Sequence, residues 1–581
     1  MSSDAPTASP VHGLFLGQLP DELVYPYPEQ DPEQRETTDQ AVDAFREWAR
    51  DNVDARAIDA AQEIPEAVRD GMAELGIMGM TVPEAYGGYG FGMTAYCRMV
   101  EELTRNDASL SVYVGAHLSI GARPIILYGS PEQQAKILPG VASGETLCAF
   151  ALTEPGAGSD AGSMRTRAEW DPAKGVYRIN GNKIWITNGG YAKLFTVFAR
   201  GSGGPAGEGE GFSAFMVRRG TPGFTNGPSE HKLGIRGTST TELAFVDVEV
   251  PPEDRVGPWG EGFKIALQSL ETGRLSLGAG CTGGAKEMVR LAVEHARERR
   301  QFRHPIIEFG MIREKLGRMA AAAFGAESAV YLASGLYDAK RADVGVEAGY
   351  CKVLGSETLW QAVNDTIQVT GGIGYMTEYP YERHLRDSRI NLIFEGTNEI
   401  LRLSGTLEAL KEPGRRVTEA IKAEKSAIGA AGLVAAMAVE GLPAGGSAAG
   451  SRGLRWVTPA LRAEAEQFAA ALAQFGDTVR ATLRKHRRAI LGAQYTIRRL
   501  ADAAIQLYAA AAALSRASTV AKEKGEDGAR REILLARRFV DEAARRVRHE
   551  LDVVDGTRDA LDDEIAGLLA IEGRYPSPLF T

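Results

Sequence analysis

Four short runs of this sequence combine residue types that could do chemistry. The first is Thr153-Glu154-Pro155-Gly156-Ala157-Gly158-Ser159-Asp160-Ala161-Gly162. Its glycines let a backbone approach a phosphate or a planar ring, and Thr153 and Ser159 offer hydroxyls. Read alone it is better taken as an ordinary surface turn, and no βαβ unit surrounds it as a dinucleotide fingerprint requires. The second is Lys183-Ile184-Trp185-Ile186-Thr187-Asn188-Gly189. A Trp between isoleucines on a strand is ordinarily core, but against a flat heteroaromatic ring it becomes a stacking wall. The third is Gln368-x-x-Gly371-Gly372-x-Gly374-Tyr375, followed by Glu378, Arg383 and Asp387. Its glycines follow a helical pattern, so a C-cap and turn is the plain account. The fourth is Ile393-Phe394-Glu395-Gly396-Thr397-Asn398-Glu399-Ile400. A lone Glu is usually solvated. One flanked by Ile and Phe is a candidate for desolvation, which raises a carboxyl from about 4.3 and makes it a stronger base.

These runs need elements to hold them. From about Thr38 to Gly121 the apolar spacing is helical, with Ala41, Phe45, Trp48 and Ala49 recurring at three to four residues and Val68, Met72 and Leu75 on a second helix. The run Pro83–Gly90 is a turn rich in helix breakers. From about Cys148 to Gly260 short alternating segments separated by glycines predict strands, among them Leu194–Phe198, Ser213–Val217 and Glu242–Val250. Ala-rich helical patterns return from Phe263 to about Leu410 and again from Pro459 to Leu569. The Gly, Ala, Ser and Pro-rich stretch between them predicts a linker. The expected order is an N-terminal extended arm (1–35), a helical domain (36–147), a β domain (148–260), a helical domain (261–415), a linker (416–458) and a C-terminal helical extension (459–581). Because β and α do not alternate, a doubly wound sheet is not expected.

The 581 residues carry a formal charge of −10 and are 44% hydrophobic and 24% charged, which rules out general disorder. The cysteines 97, 148, 281 and 351 are widely spaced, which argues against a disulfide framework or a zinc site and suits a reducing compartment. No run of 18 or more apolar residues occurs, the longest uncharged apolar stretch being Ala427–Val439, and no signal pattern opens the chain. These features predict a cytoplasmic protein.

Taken in order, the four runs resemble the acyl-CoA dehydrogenase family of flavoproteins. Ala151–Gly162 is similar to the family's first signature and Gln368–Asp387 to its second, and Pro83–Gly90 and Glu395-Gly396-Thr397 also match. Phe15-x-Gly17-Gln18-Leu19, Pro26-Tyr27-Pro28, Lys485–Arg499 and the stretch from Leu500 to Ser518 resemble the very-long-chain branch, which carries an extra C-terminal helical domain. The resemblance implies a mainly α protein with a central β domain: a helical domain, a β-barrel-like domain, a helical bundle and the added helices. It implies FAD-dependent α,β-dehydrogenation of long-chain acyl-CoA, with electrons passed to electron-transferring flavoprotein. Glu395 takes the role of base. The branches that place the base before the Arg of Glu271-Thr272-Gly273-Arg274 would need it at Gly273, which cannot act. FAD contacts are implied at Phe150, Leu152, Thr153, Gly158, Ser159, Trp185, Ile186, Thr187, Thr397 and Glu399. They are implied across a subunit boundary at Arg299, Phe302, Gln368, Gly371 and Gly372. Substrate contacts are implied at Ser159, Glu271, Arg274 and Gly396. The small residues of Val114-Gly115-Ala116-His117 would leave room for a long acyl tail that Tyr113 could shorten, and His117 itself reads as core.

The extension from 421 to 581 carries 24 Lys plus Arg and 20 Asp plus Glu, so it is +4 and the remainder is −10 − 4 = −14. Arg480, Arg484, Lys485, Arg487, Arg488, Arg498 and Arg499 lie together with no acid among them. Their plain reading is a solvated face paired with acids elsewhere. By resemblance the extension favours a homodimer and leaves peripheral membrane contact open, with Ala427–Val439 as the candidate contact. A DNA-binding relative and a respiratory-complex assembly factor are the alternatives. The acidic body argues against nucleic acid.

Overall fold

The structure, a computed structural model, describes residues 9–426, 454–556 and 558–574. The chain divides into two units: Tyr27–Ile400, and a second made of Met1–Pro26 with Leu401–Thr581.

The N-terminal stretch, expected to be an extended arm, carries two short helices among its described residues. α1 (Pro10–Phe15) and α2 (Asp21–Val24) precede α3 (Pro32–Asn52). Ser9 caps α1 by accepting from the His12 N–H, and Pro10 opens the helix, where its missing donor costs nothing. Val11, Leu14 and Phe15 of α1 are buried, and the Phe15 ring meets Phe475 edge-on at 5.0 Å. A proline- and acid-rich composition hid an apolar face only six residues long.

In the larger unit α4 (Ala55–Ala61), α5 (Glu66–Glu74), α6 (Met93–Asn106), α7 (Ala108–Gly115), α8 (Arg123–Tyr128) and α9 (Pro131–Ala142) complete the first helical layer. Between α7 and α8, residues Ala116–Gly121 form a π-helical turn. The β domain follows: β1 (Cys148–Ala151), β2 (Arg167–Asp171), β3 (Val176–Thr187), β4 (Leu194–Ser202), β5 (Glu210–Arg218), β6 (Phe224–Ser229), β7 (Thr240–Val250) and β8 (Arg255–Val256). They form one sheet in the order β6-β7-β3-β2-β4-β5-β8, with β1 pairing parallel to β4. One face packs a core of Tyr177, Ile179, Phe195, Val197, Phe215 and Phe245.

Three long helices then make the bundle: α10 (Gly262–Glu298), α11 (Gly310–Asp338) and α12 (Gly345–Thr370). Glycines set the approach of α10 to α12. A Cβ at Gly278 would stand 3.1 Å from the Cys351 carbonyl oxygen, and one at Gly355 would stand 2.9 Å from that of Gly278. Short α13 (Tyr381–Arg389) and α14 (Asn398–Ala409) follow, and α15 (Lys411–Ser426) runs as helix into the segment expected to be linker. Ala427–Val439 lies outside the described residues. Residues 108–128 and 310–338 are long and apolar enough to cross a membrane, yet most of each is buried inside the protein.

In the second unit α16 (Arg462–His486), α17 (Gln494–Gly528) and α18 (Arg530–Asp552) pack around Phe468, Phe475, Leu507, Tyr508, Phe539 and Val547, and α19 (Asp559–Glu572) follows. Of the basic run, Arg480 pairs with Asp477, Lys485 with Asp555, Arg498 with Asp502 and Arg499 with Asp559. Acids one turn away (Asp477, Asp502) and acids distant in sequence (Asp555, Asp559) thus pair with four of its seven members, in line with the plain reading.

Candidate active site

Glu395 sits in the turn between α13 and α14, in the left-handed region with φ 57°, followed by Gly396 at φ 91°. Such a φ is unfavourable for a residue with a Cβ and persists only where the surroundings impose it. The restraints are visible. Arg274 of α10 donates from Nε to the Glu395 carbonyl at 3.1 Å. Lys352 of α12 donates from Nζ to the Gly396 carbonyl at 2.9 Å and to Asn398 Oδ1 at 2.8 Å. Thr397 caps α14 by accepting from the Ile400 N–H.

The Glu395 carboxylate oxygen Oε2 is shut off from solvent and has no hydrogen-bond partner among the described residues. Burial pushes the carboxyl up to about 7, against the opposing charges of Arg274 and Lys352. An unpartnered buried carboxylate is costly unless it awaits a ligand. The space it fills is made by a glycine: a Cβ at Gly273 would lie 2.8 Å from Oε2. The two positions considered for the base therefore meet at one point, and Gly273 is where Glu395 needs room. Glu271, two residues earlier, is also pushed up to about 7 by burial and by Asp343. Beside the site Tyr96, Ser119 and Ser276 form a buried hydroxyl chain, with separations of 2.7 and 3.2 Å.

The glycine-rich run leaves β1 and is pinned at both ends. Lys183 donates to the Leu152 carbonyl at 2.9 Å and to Glu154 Oε1 at 2.8 Å. Glu154 also accepts the N–H groups of Arg165 and Thr166, while the Thr153 carbonyl accepts from Ile184. Between the pins, Cβ atoms at Gly156 and Gly158 would project into open space, and Ser159 is exposed. Phe150 is buried against Phe198, ring centroids 4.8 Å apart.

Trp185 is not core. It is 63% exposed with φ 56°, inside a register irregularity between Lys183 and Ile186 in the β3–β7 pairing. A bulge turns a side chain that strand alternation would bury. Ile186 is buried behind it and Thr187 ends the strand half-buried.

Arg299, Phe302, Gln368, Gly371 and Gly372 gather elsewhere, at one end of the bundle around the cluster of Ala296, Ile306, Leu316 and Val369. All are exposed, Phe302 to 86%. Gly371 ends α12 at φ 62°, ψ −138°, a conformation open to glycine, and Cβ atoms at Gly371 and Gly372 would meet nothing within 4 Å. Glu399 is exposed on α14. Asp387 Oδ1 accepts the Ile235 N–H at 2.5 Å, and burial, then Asp107, pushes its carboxyl up to about 7.

His117 is fully buried, as expected of a core histidine. Its Nδ1 accepts from the Cys148 N–H and its Nε2 faces the carbonyls of Met78 and Val141, which fixes a neutral tautomer. Burial holds it down to about 4. A Cβ at Gly115, just before it, would meet nothing within 4 Å.

Sequence reasoning missed Lys352, Asn398, Tyr96 and the anchoring role of Lys183. A signal existed for Lys352: it interrupts the apolar run Tyr350-Cys351-Lys352-Val353-Leu354, and a lysine there has to be paired or functional.

Comparison with known proteins agrees with this arrangement. Family models match for the acyl-CoA dehydrogenase N-terminal domain (residues 35–145), middle domain (149–248) and C-terminal domain (260–406), and for the ACAD9/ACADV C-terminal domain (459–569). The chain is 41% identical over 543 residues to the mitochondrial very long-chain specific acyl-CoA dehydrogenase of Homo sapiens, covering 92% of this chain and 82% of that protein. It is 42% identical to an acyl-CoA dehydrogenase of Bacillus subtilis, over 62% of this chain and 94% of that one. A Bacillus anthracis acyl-CoA dehydrogenase complexed with FAD superposes with TM-score 0.81 at 29% identity, over 99% and 97% of the two chains. The chain therefore belongs to the acyl-CoA dehydrogenase family and carries, beyond that family's three domains, the C-terminal domain of the ACAD9/ACADV type.

Proposed function

We propose that this protein is an FAD-dependent acyl-CoA dehydrogenase that oxidises the Cα–Cβ bond of long-chain acyl-CoA thioesters in fatty-acid β-oxidation. The observation that carries the mechanism is the buried, unpartnered Oε2 of Glu395 with its carboxyl raised to about 7.

The chain's residues fit FAD. The open glycine positions of the 152–159 loop suit close approach of a phosphate or ring, and exposed Trp185 in its bulge offers an apolar wall. Phe150, Leu152, Thr153, Gly158, Ser159, Trp185, Ile186 and Thr187 would hold the flavin half, completed by Thr397 and Glu399. The exposed group of Arg299, Phe302, Gln368, Gly371 and Gly372 suits the adenine and diphosphate half of a cofactor held by a second subunit, which supports a homodimer. Bound FAD supplies a two-electron acceptor for the β-carbon.

Glu395 takes the α-proton. A thioester α-proton is far less acidic than a carboxyl, so a carboxyl raised toward 7 narrows the gap. Its protonated form is uncharged and suits the enclosed site. Gly273 keeps the space in front of the carboxylate clear, and Arg274 holds the backbone behind it. Glu271 and Arg274 would flank the CoA portion, with Ser159 and Gly396 nearer the reacting end. Open space at Gly115 supports a long acyl tail.

Electron-transferring flavoprotein is the proposed acceptor, since it serves the family generally. We place the protein in the cytoplasm, with peripheral membrane contact as a separate proposal for the extension. Pairing of the basic run with acids speaks against DNA binding. The test is anaerobic mixing of the purified yellow protein with palmitoyl-CoA. The flavin should bleach, and Glu395→Gln should keep the flavin and lose the bleaching. Reduction of that variant at the wild-type rate would remove Glu395 as the base. Reoxidation by electron-transferring flavoprotein rather than by oxygen separates a dehydrogenase from an oxidase.

A further inference from the structure

We propose that Lys352 is a positioning residue for Glu395: its ammonium clamps the Gly396 carbonyl and the Asn398 side chain, fixing the left-handed turn that aims the carboxylate, and turns an otherwise unpaired positive charge toward it. The inference rests on Glu395 being the base.

Three features carry it. Lys352 is fully buried within the first third of α12, where a lysine is costly unless used. Its hydrogen bonds go to neutral acceptors on either side of Thr397, so one side chain ties the residue after the base to the first residue of α14. Asn398 is held in turn, donating from Nδ2 to Ser356 Oγ at 3.0 Å and to Glu357 at 3.2 Å. Among the described residues no carboxylate forms an ion pair with Lys352, so its charge acts on what lies nearby. The groups facing this locus are Arg274 and the Cys281 thiol from α10, Glu357 from α12, the Tyr96 hydroxyl from α6, and Glu395 itself. Arg274 and Lys352 are the two cations that stabilise the Glu395 anion against burial. Burial draws the Lys352 ammonium down to about 8, so it remains mostly charged at neutral pH.

The two parts of the role separate by substitution. Lys352→Met removes both donor and charge, Lys352→Gln keeps a donor without charge, and Asn398→Ala keeps the charge but loosens the clamp. Each holoenzyme is checked for flavin content and melting temperature, then mixed anaerobically with palmitoyl-CoA at a series of pH values. Limiting reduction rate and substrate affinity are read separately. Lys352→Met should slow the limiting rate roughly 10- to 100-fold with little change in affinity. Its acid limb should move up by roughly one pH unit, because a cation favouring the anion is gone. Lys352→Gln should show the same shift with a smaller rate loss. Asn398→Ala should lose rate with the limb in place. Should Lys352→Met not fold, the other two variants decide the matter. Wild-type rate and acid limb in the Lys352 variants, with Glu395→Gln inactive, overturn this inference alone. An active Glu395→Gln overturns the base assignment and the inference with it.

Discussion

Lys183 and Lys352 are both removed from solvent, and each holds one of the two loops of the candidate active site. Lys183 pins the glycine-rich loop and meets a carboxylate there, Glu154 at 2.8 Å. Burial alone would raise Glu154, but the Arg165 N–H, Lys183 and Thr166 together hold it below the usual carboxylate range, so it stays charged. Lys352 pins the base loop through a carbonyl and an amide, with no carboxylate pair among the described residues. Burial draws both ammonium groups down to about 8. The difference lies in where the charge goes. At the glycine-rich loop it is neutralised on the spot and the lysine is an anchor. At the base loop it is left over, and the nearby acid that benefits is Glu395. A buried lysine by itself therefore says little, and its partner tells whether the charge serves the fold or the chemistry.

The comparison breaks first at Glu154. Glu154→Ala leaves Lys183 buried without its acid and frees the loop's first turn. The expected loss of stability is about 3–5 kcal/mol, with weakened flavin retention and an unchanged reduction rate per bound flavin. Chemical denaturation and the flavin-to-protein absorbance ratio measure both. If that variant instead slows reduction of bound flavin without losing cofactor, Lys183 is no mere anchor.

Gly273→Ala tests the other loop from the opposite side. The added methyl would stand 2.8 Å from Glu395 Oε2, so the carboxylate must move. Because a misplacement of about 1 Å can cost roughly 100-fold, a loss of this order in flavin reduction is expected with full flavin content. Stopped-flow reduction reads it directly.

A subtler effect concerns stability. Glu395 has a folded-state pKa of about 7 against an ordinary 4.5, so between those values the folded chain holds a proton that the unfolded chain has lost. The favourable contribution of this carboxyl is present below about pH 4.5 and is lost as pH rises to about 7. Glu395→Gln should therefore be more stable than the wild type above pH ~7, by on the order of 1–3 kcal/mol, and no more stable near pH ~4.5. Melting temperatures at the two pH values check the sign. The smallest effect belongs to His117, whose neutral tautomer is fixed by its partners. Its burial predicts no ionisation between pH ~5 and pH ~9 in a nuclear magnetic resonance titration.

Much of this was legible along the chain, and particular residues show why. Helical periodicity, the glycine-punctuated strands and the C-cap at Gly371 are local facts, encoded within a few residues. The four motif runs are local too, and their order carried the resemblance to the family. Trp185 shows where locality stops. Its sequence reads as a buried strand residue, and only the slipped pairing with β7 turns it outward. The N-terminal residues show another limit. A six-residue apolar face gives no usable periodicity, and α1 exists because Phe15 finds Phe475.

The sequence by itself determined the candidate base, the glycine-rich loop and the alternation of helical and β domains, because each is written in adjacent residues. The tertiary structure decided what holds the base. Lys352 reaches the base loop across 44 residues and Arg274 across 121, while Gly273 clears the space in front. Whether a lysine is anchor or positioning residue depends on what its ammonium meets in the folded chain, and electrostatic energy follows distance in space rather than along the chain.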